Sequence, residues 1–558
     1  MSIAIVFVAS IPLAWLLANH YLPWLSAWQD GLSLALLAGG LTFASAAVKV
    51  PALWLGVVGL AAASVLGQLA FGVIWFHGDA WMALLYLGAF ALALGAGSWL
   101  VPAKPPGDHA ALSAALTGIV LAAAISTGIA LAQLTGNQGL GIFGADLRPG
   151  ARPFGNFGQP NHLSTAAFLG LCALAGLFEL RRVGHFCLAL TATLLVIGMI
   201  ASGSRTAWLQ MAMVLLLMAW WRGRFERRIG LAGCFTGIIL FGLLSLAWPS
   251  LTEVFMVSGS RPLGDQVQAG VRLPLWLAML EAIGREPVWG YGWQQMVLAQ
   301  LEVAVDRPPL LRHFEHSHNL ILDLLIWAGV PVGLGLIGGI AWAIQRLIRG
   351  THQGVGAWLL MAALGVLTHA MVEFPLEHAY FLVPVGLLLG AASGLTAERS
   401  LLVPRSAVRA AGGVLAVVLS VTAFDYIRAE QAYRMLRLES ARVGTAGIES
   451  AAPDLLVLDQ LAAFQRFARQ ESRPGMTASE IDFSRRVSQR FAYPPAMFRH
   501  ALTLGLNGDA AGAQLTLERL CHVHAPARCD EAIAGWQTLQ GQHPELGAVT
   551  MPRRWAQQ

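Results

Sequence analysis

Apolar runs recur along most of the chain and are separated by short polar stretches. A helix that crosses a bilayer needs about 20 apolar residues, and thirteen runs approach that length. The pattern predicts one membrane domain over residues 1–424, followed by a tail of ordinary polarity over residues 425–558. The predicted spans are 2–19, 32–48, 52–73, 80–101, 111–134, 162–180, 186–202, 206–221, 229–248, 319–345, 355–372, 379–395 and 407–424.

The composition indicates that lipid is the solvent for most of this chain. Hydrophobic residues make up 56% of the 558 residues and charged residues only 12%, with a mean hydropathy of +0.61. Soluble domains carry roughly twice that charged fraction. The predicted fold class is therefore an all-α polytopic membrane protein. Because the apolar N-terminus lacks a basic segment and a clear cleavage site, it is predicted to be a retained first span.

The basic residues alternate with the predicted spans. Every loop that follows an even-numbered span carries Lys or Arg, whereas the loops after spans one, three and eleven carry neither. By the positive-inside rule, the basic loops are cytoplasmic. The N-terminus is then cytoplasmic, and the long loop 249–318 and the tail 425–558 are periplasmic, at a bacterial inner membrane. The net charge of +5 is scattered over short loops and does not indicate nucleic-acid binding.

The tail has the features of a helical domain. Thr477 and Glu480 have the spacing of a capping box at the start of a helix. The run 501–520 is interrupted by Asn-Gly-Asp, which predicts two helices joined by a turn. Cys521 and Cys529 flank a short loop that contains proline. In an oxidising compartment, this arrangement favours a disulfide bond between them.

Two arginines lie where the positive-inside rule disfavours a cation. Arg205 occupies a turn between spans seven and eight that is too short to carry it far from the membrane, and Arg272 begins an apolar segment of the long loop. A cation in hydrocarbon costs at least about 2.5–3.5 kcal/mol, so both positions are functional candidates. Alternatively, Arg205 reaches the lipid headgroups or pairs with a carboxylate of a loop, and Arg272 lies on the surface of an interfacial helix.

A cluster of histidines leads directly into span ten. The segment 313–319 reads His-Phe-Glu-His-Ser-His-Asn. Three histidines suggest a metal, but no matching pair of ligands stands out elsewhere, so no metal site is predicted. A histidine titrates near neutral pH and suits a general base, which makes His318 a candidate. The alternative is an interfacial cluster without a catalytic role, and His316 lies only two residues away.

Other polar groups stand at the boundaries of spans six and eleven. The loop 152–162 is dense in glycine, proline, amides and aromatic residues, and it contains Gln159 and His162. Such a loop either presents amide donors to a sugar or forms a rigid turn. Glu373 is an ionisable group near the end of span eleven and is a functional candidate for that reason. Alternatively, Glu373 is a carboxylate at a helix end that faces water and has no role in the function.

Several of these segments together form a recognisable set. They are RPFGNFGQPNHLST (152–165), SGSRTAW (202–208), VRLPLWLAMLEAIGREPVWGYGW (271–293) and HSHNLILDLLIWAG (316–329), supported by HAMVEFPLEHAYFLVP (369–384). This set resembles the bacterial protein O-oligosaccharyltransferases of the PglL/PilO type, within the O-antigen ligase and Wzy superfamily. The first segment resembles the protein-glycosylating branch in particular, and the others are shared with O-antigen ligases.

The resemblance implies a GT-C-like fold and a defined reaction. An oligosaccharide would pass from undecaprenyl diphosphate to a Ser or Thr hydroxyl of a periplasmic or pilin-like protein, without a metal or other cofactor. Arg205 and Arg272 match the arginines that would bind the diphosphate, and His318 matches the family's catalytic histidine. Additional candidates for substrate binding are Gln159, His162, Asn319 and Glu373.

Other functions stay open from the sequence. An O-antigen ligase that acts on lipid A core, or a polysaccharide polymerase, would differ only in the acceptor. The loop 152–165 and the tail favour a protein acceptor, and the tail is expected to help dock it. A transporter of lipid-linked glycans would place ionisable groups near the middle of the membrane, whereas the candidates here crowd to one face.

Overall fold

The computed structural model describes residues 2–102, 108–136, 139–148, 150–254, 270–396, 398–440 and 452–552. Lys104 and parts of the predicted loop 249–318 and of the tail lie outside these ranges. Within them, the chain is mostly helical, which confirms the predicted helical class.

Each of the thirteen predicted spans contains a helix. Among the described residues, seven helices are long and apolar enough to cross a membrane, which indicates a multi-pass membrane protein. The helices in the predicted spans are α1 Ile3–Ser10 with the 3₁₀ turn Ile11–Leu16, α2 Ala27–Thr42, α3 Ala52–Ala70, α4 His77–Gly97, α5 Ala110–Leu134, α6 Pro160–Glu179, α7 His185–Ala201, α8 Thr206–Trp220, α9 Leu231–Val254, α12 Leu320–Gly350, α13 Gly354–Ala370, α14 Ala379–Gly394 and α15 Arg405–Ser440. The long loop contributes α10 Arg272–Arg285 and α11 Met296–Glu302.

The predicted span 32–48 is wrong at its end. Helix α2 ends at Thr42, and a short strand β1, Val48–Pro51, pairs antiparallel with β2, Ser400–Val403. β-Branched valines alternate with Lys49 in β1, and the proline disfavours helical backbone at the residue before it. This two-stranded sheet is therefore an exception to the all-helical prediction.

Two compact units make up the chain. Unit 1 comprises Met1–Gly59, Leu85–Gln268 and Gly338–Ser420. Unit 2 comprises Leu60–Leu84, Ala269–Ile337 and Val421–Gln558, so the long loop from residue 269 onward and the tail belong to the same unit. The predicted boundary at residue 424 is of a different kind, because it separates the membrane domain from the periplasmic tail. It stays a prediction.

Helix α6 is the centre of unit 1. Of its 18-residue apolar window, 89% is buried inside the protein. Close packing depends on residues without side chains, because a Cβ atom added at Gly365 of α13 would lie 2.1 Å from the Phe168 ring. The polar loop 152–159 leads directly into this buried helix, so the core of unit 1 holds the end of that loop.

The tail of unit 2 is helical, as the sequence predicts. The predicted capping box is present, because Thr477 accepts from the amide of Glu480 and the Glu480 carboxylate accepts from the amide of Thr477. A disulfide bond joins Cys521 and Cys529 in the structure. The tail helices are α16 Asp459–Arg469, α17 Ala478–Arg490, α18 Pro494–Leu506, α19 Ala510–Val523 and α20 Pro526–Gln540, with the predicted turn between α18 and α19.

A buried ion pair links the tail to the first turn of α4 within unit 2. The Nε and Nη2 atoms of Arg490 donate to the two carboxylate oxygens of Asp79, at 2.9 and 2.8 Å. The exposed fractions of the two side chains are only 15% and 3%. Burial alone would lower the pKa of Arg490, but the Asp79 carboxylate raises it above the usual range. The guanidinium therefore stays charged.

We expect Arg490→Gln to destabilise unit 2 by about 3–5 kcal/mol, because it leaves the Asp79 carboxylate buried without its cation. A lower Tm of the detergent-solubilised protein would show this. The double variant Asp79→Asn/Arg490→Gln removes both charges and should recover part of the Tm. An unchanged Tm in Arg490→Gln would mean that water satisfies the carboxylate and that the pair contributes little.

Candidate active site

His318 stands at a fixed turn in front of α12. Its φ of +56° lies in the left-handed region, which is uncommon for residues other than glycine. The Asn319 Oδ1 atom accepts from two amides in the first turn of α12, at 3.0 and 3.2 Å. On the other side, the Ser317 amide donates to Asp323 Oδ1 at 2.8 Å. Hydrogen bonds on both sides therefore fix the backbone of the half-buried His318.

Helix α10 is attached to this turn. The Trp276 Nε1 atom donates to the Ser317 carbonyl at 2.9 Å. Arg272 lies one turn before Trp276 in the same helix, and side chains four residues apart have Cβ atoms about 5–6 Å apart. The half-buried Arg272 is thus held within one helical turn of Trp276, which contacts the backbone of Ser317 next to His318. Spacing in the sequence did not indicate this role of Trp276.

Two glycines fix the far end of the first segment of α12. At Gly329, φ is +73° and the helix is interrupted. Gly290 has a φ of +67°, and an added Cβ atom would lie 2.4 Å from the Ile326 carbonyl oxygen. That carbonyl accepts from the Tyr291 amide at 2.7 Å. The motifs 271–293 and 316–329 therefore meet through their backbones, which only glycine permits at these positions.

Arg205 in unit 1 precedes α8 at a tight turn. Gly203 has a φ of +57° in this turn, and the Arg205 side chain is half-buried. The Arg152 Nη1 atom donates to the carbonyl oxygens of Ser202 and Gly203, both at 3.1 Å. Arg152 thus supports the turn that carries Arg205. The sequence placed Arg152 at the start of a motif but gave no sign of this contact.

Gln159 and Glu373 meet in unit 1. The Asn161 Nδ2 atom donates to Glu373 Oε1 at 3.0 Å, and Gln159 Nε2 lies 3.4 Å from Glu373 Oε2. Only 6% of Glu373 is exposed, so the two amides replace water around its carboxylate. These contacts bring the loop 152–162 next to the end of α13, so the predicted site residues Gln159 and Glu373 lie together.

His162 is buried beside two other histidines. Its Nδ1 atom forms a 2.7 Å hydrogen bond with the Tyr380 hydroxyl, and its ring centroid lies 5.6 Å from that of His369 and 4.9 Å from that of His378. Its Nε2 atom has no hydrogen-bond partner in the part of the chain that the structure describes. His162 is therefore a component of a buried polar cluster of unit 1, which Thr165 extends by a 2.8 Å bond to His369.

The amides of the loop 152–162 have different surroundings. Asn156 is fully buried, and its Nδ2 atom donates to the carbonyls of Leu16 and Phe143 at 2.8 and 2.9 Å. Gln133 supports the same loop through a 2.7 Å bond to the Gly155 carbonyl. These contacts make the first half of the loop a rigid turn. Gln159, by contrast, is half-buried, and its side-chain amide donates to the Glu373 carboxylate.

The predicted site residues fall into two groups. Arg205, Gln159, His162 and Glu373 belong to unit 1, and Arg272, His318 and Asn319 belong to unit 2. Partial burial lowers the pKa of His316 in the segment before His318, so this histidine is neutral at neutral pH. Among the described residues, no three His, Cys, Asp or Glu side chains are grouped closely enough to hold a metal ion.

Comparisons with protein families match three parts of the chain. Residues 153–178 match the protein glycosylation ligase family, and residues 190–337 match the O-antigen ligase family. Residues 357–538 match the C-terminal part of a membrane-bound polymerase family described as a virulence factor. The first two matches contain the loop before α6, the Arg205 turn and the His318 turn.

Two curated relatives come from Acinetobacter baylyi. A general O-oligosaccharyltransferase is 26% identical over 526 residues, which cover 92% of this chain and 91% of the relative. A ComP-specific O-oligosaccharyltransferase is 30% identical over 241 residues, 43% of each chain. The resemblance drawn from the motifs is thereby confirmed: the chain is a relative of the bacterial protein O-oligosaccharyltransferases within the O-antigen ligase and Wzy superfamily.

Proposed function

We propose that this chain is a glycosyltransferase that transfers an oligosaccharide en bloc from undecaprenyl diphosphate to Ser or Thr hydroxyls of periplasmic or pilin-like proteins. The observation that carries the proposal is the similarity to a general O-oligosaccharyltransferase over 92% of the chain. The match of residues 153–178 to the protein glycosylation ligase family supports a protein acceptor. A lipid-linked glycan and a protein are then its two substrates.

The reaction assigns two roles to three residues. His318 accepts the proton of the acceptor hydroxyl as its oxygen attacks the anomeric carbon of the glycan. The bond from that carbon to the diphosphate oxygen breaks, and undecaprenyl diphosphate leaves with the electron pair. Arg205 and Arg272 bind the diphosphate, whose negative charge grows during this step. This scheme requires no metal or nucleotide.

The remaining candidates have binding roles in the same proposal. Asn319 follows His318 directly in the sequence, and its side chain holds the backbone there. The amide of Gln159 and the carboxylate of Glu373 are suited to bind sugar hydroxyls, because they offer donors and acceptors in fixed positions. His162 would act from the buried polar cluster in which it bonds to Tyr380.

The proposed topology is that of a GT-C-like inner-membrane protein with thirteen spans. The N-terminus is cytoplasmic, and the long loop and the tail are periplasmic. This orientation follows from the basic residues after the even-numbered spans. It places His318 and Arg272 on the side where an undecaprenyl-linked glycan is presented for export reactions, and it places the two tail cysteines in an oxidising compartment.

A second candidate function is that of an O-antigen ligase, with lipid A core as the acceptor. The match of residues 190–337 to the O-antigen ligase family favours it. The polymerase family match over residues 357–538 makes a polysaccharide polymerase the next alternative. A transporter of lipid-linked glycans has less support. All the enzymatic alternatives use the same donor, so the acceptor decides between them.

The deciding experiment offers both acceptors to the wild-type protein. It is expressed with a lipid-linked glycan and a pilin in cells that lack their own ligase, and the pilin and the lipid A core are analysed for glycan. We expect glycosylated pilin. Glycan on lipid A core without modified pilin would establish an O-antigen ligase, and transfer to neither acceptor would contradict the proposed function.

A further inference from the structure

The segment 311–317, which precedes His318, is attached to the tail by its backbone and a histidine pair. The Leu311 amide, at a residue with a φ of +52°, donates to the His522 carbonyl at 2.9 Å. The His313 and His524 rings stack with centroids 5.8 Å apart and an interplanar angle of 19°. His524 is itself held by a 2.8 Å bond to the Ala492 carbonyl. Both contacts lie within unit 2.

Tyr493 provides a third attachment, closer to His318. Its hydroxyl donates to Glu315 Oε1 at 3.2 Å. The Tyr493 ring also packs edge-on against His313, with centroids 5.8 Å apart, and against Phe464 at 5.9 Å. Partial burial and the Glu315 carboxylate raise the pKa of Tyr493, so its hydroxyl remains a donor throughout the neutral range.

The tail and the long loop share one hydrophobic core. A single buried cluster contains residues of α11 and of the tail helices, and the disulfide-bonded cysteines belong to it. Its members are Val297, Leu301, Ala304, Ala492, Met497, Leu520, Cys521, Val523, Cys529, Ala532 and Ile533. Interdigitated cores of this kind transmit displacements, because they contain few voids. The tail therefore forms part of the support of the His318 segment.

We propose that the tail positions His318 and that Tyr493 is a positioning residue for the transfer reaction, acting through Glu315. The inference rests on the proposed function, in which His318 is the general base. Glu315 is three residues before His318, whose two neighbours Ser317 and Asn319 are held by hydrogen bonds with α12. Loss of the Tyr493 bond removes the contact of the tail with Glu315, while Gln300 of α11 keeps its bonds to Arg312 and Phe314. The segment therefore gains freedom at Glu315.

A tail that only docks the acceptor would behave differently. Docking contributes to acceptor binding, so its loss raises the KM for the acceptor and leaves kcat unchanged. Positioning contributes to the geometry between His318 and the attacking hydroxyl, so its loss lowers kcat. Kinetics with purified enzyme therefore separate the two roles.

The test compares Tyr493→Phe with Tyr433→Phe, using undecaprenyl-diphosphate-linked oligosaccharide and purified pilin. Both variants lose one hydroxyl from rings that pack on Phe464, but only Tyr493 bonds to the segment 311–317. We expect kcat of Tyr493→Phe to fall about 5-fold, with the pilin KM and the Tm unchanged. Tyr433→Phe should retain the wild-type kcat.

A double-mutant cycle tests whether Tyr493 acts through Glu315. If it does, Glu315→Gln and the double variant should lose no more kcat than Tyr493→Phe alone. An unchanged kcat in Tyr493→Phe, an equal loss in Tyr433→Phe, or a raised pilin KM with normal kcat would overturn the inference. Wild-type enzyme without any transfer would instead refute the proposed function, and if lipid A core is the acceptor, the same kinetics apply to it.

Discussion

Replacement of His318 by alanine is expected to lower the rate of glycan transfer by about 100-fold or more, with normal expression and membrane insertion. The hydroxyl of Ser or Thr is a poor nucleophile and needs a base within hydrogen-bond reach. His318 lies in a turn whose flanking residues are fixed by Asn319 and Asp323. Its half-buried side chain can be removed without leaving a cavity in the core. The lower transfer rate therefore reflects the reaction and not the stability of the fold.

Two further variants make this prediction specific. Asparagine tolerates the left-handed backbone of His318 but does not serve as a base, so His318→Asn should be as inactive as His318→Ala. His316→Ala removes a neighbouring histidine and should retain most of the rate. Transfer is measured as the glycosylated fraction of a co-expressed pilin over time. A normal rate in His318→Asn would show that this histidine only orients substrate or backbone.

Local patterns in the sequence predicted the helices well but not every boundary. The apolar run 407–424 ends where charged residues begin, and it cannot show that α15 continues to Ser440. Helical backbone persists there because the charged residues are themselves good helix formers. Strand β1 was missed because its partner lies about 350 residues away, and a pairing over that distance leaves no local signal.

The site was predicted only in part. The residues that were missed make contacts over long distances in the sequence, as strand β1 does. Arg272 and Arg205 were selected because a cation at those depths is costly, and His318 because a histidine suits a general base; a single position can reveal either property. The residues that hold them could not be selected in this way. Trp276, Arg152 and the tail residue Tyr493 act through contacts across 41, 50 and 178 residues, respectively, and each is unremarkable in its own segment.

Loss of either diphosphate arginine is the second large effect that we expect. Arg272→Gln and Arg205→Gln should each lower transfer by about 100-fold, because each removes a cation from the charge that develops on the leaving group. The lysine variants should recover part of the rate, since lysine keeps the charge but not the planar fork that binds two phosphate oxygens. Glycan transfer to pilin with purified donor gives kcat and KM for each variant.

Arg285 is the matched control for Arg272, since both lie in α10. Its guanidinium pairs with Glu281 and Asp306 at 2.5 and 2.8 Å on the surface of unit 2. Surface pairs contribute about 0–1 kcal/mol, so Arg285→Gln should change transfer less than about 3-fold. If Arg285→Gln is as inactive as Arg272→Gln, the effect comes from the fold of α10 and not from the diphosphate. If Arg272→Gln raises only the donor KM, Arg272 binds the donor equally in the ground state and the transition state and does not assist its departure.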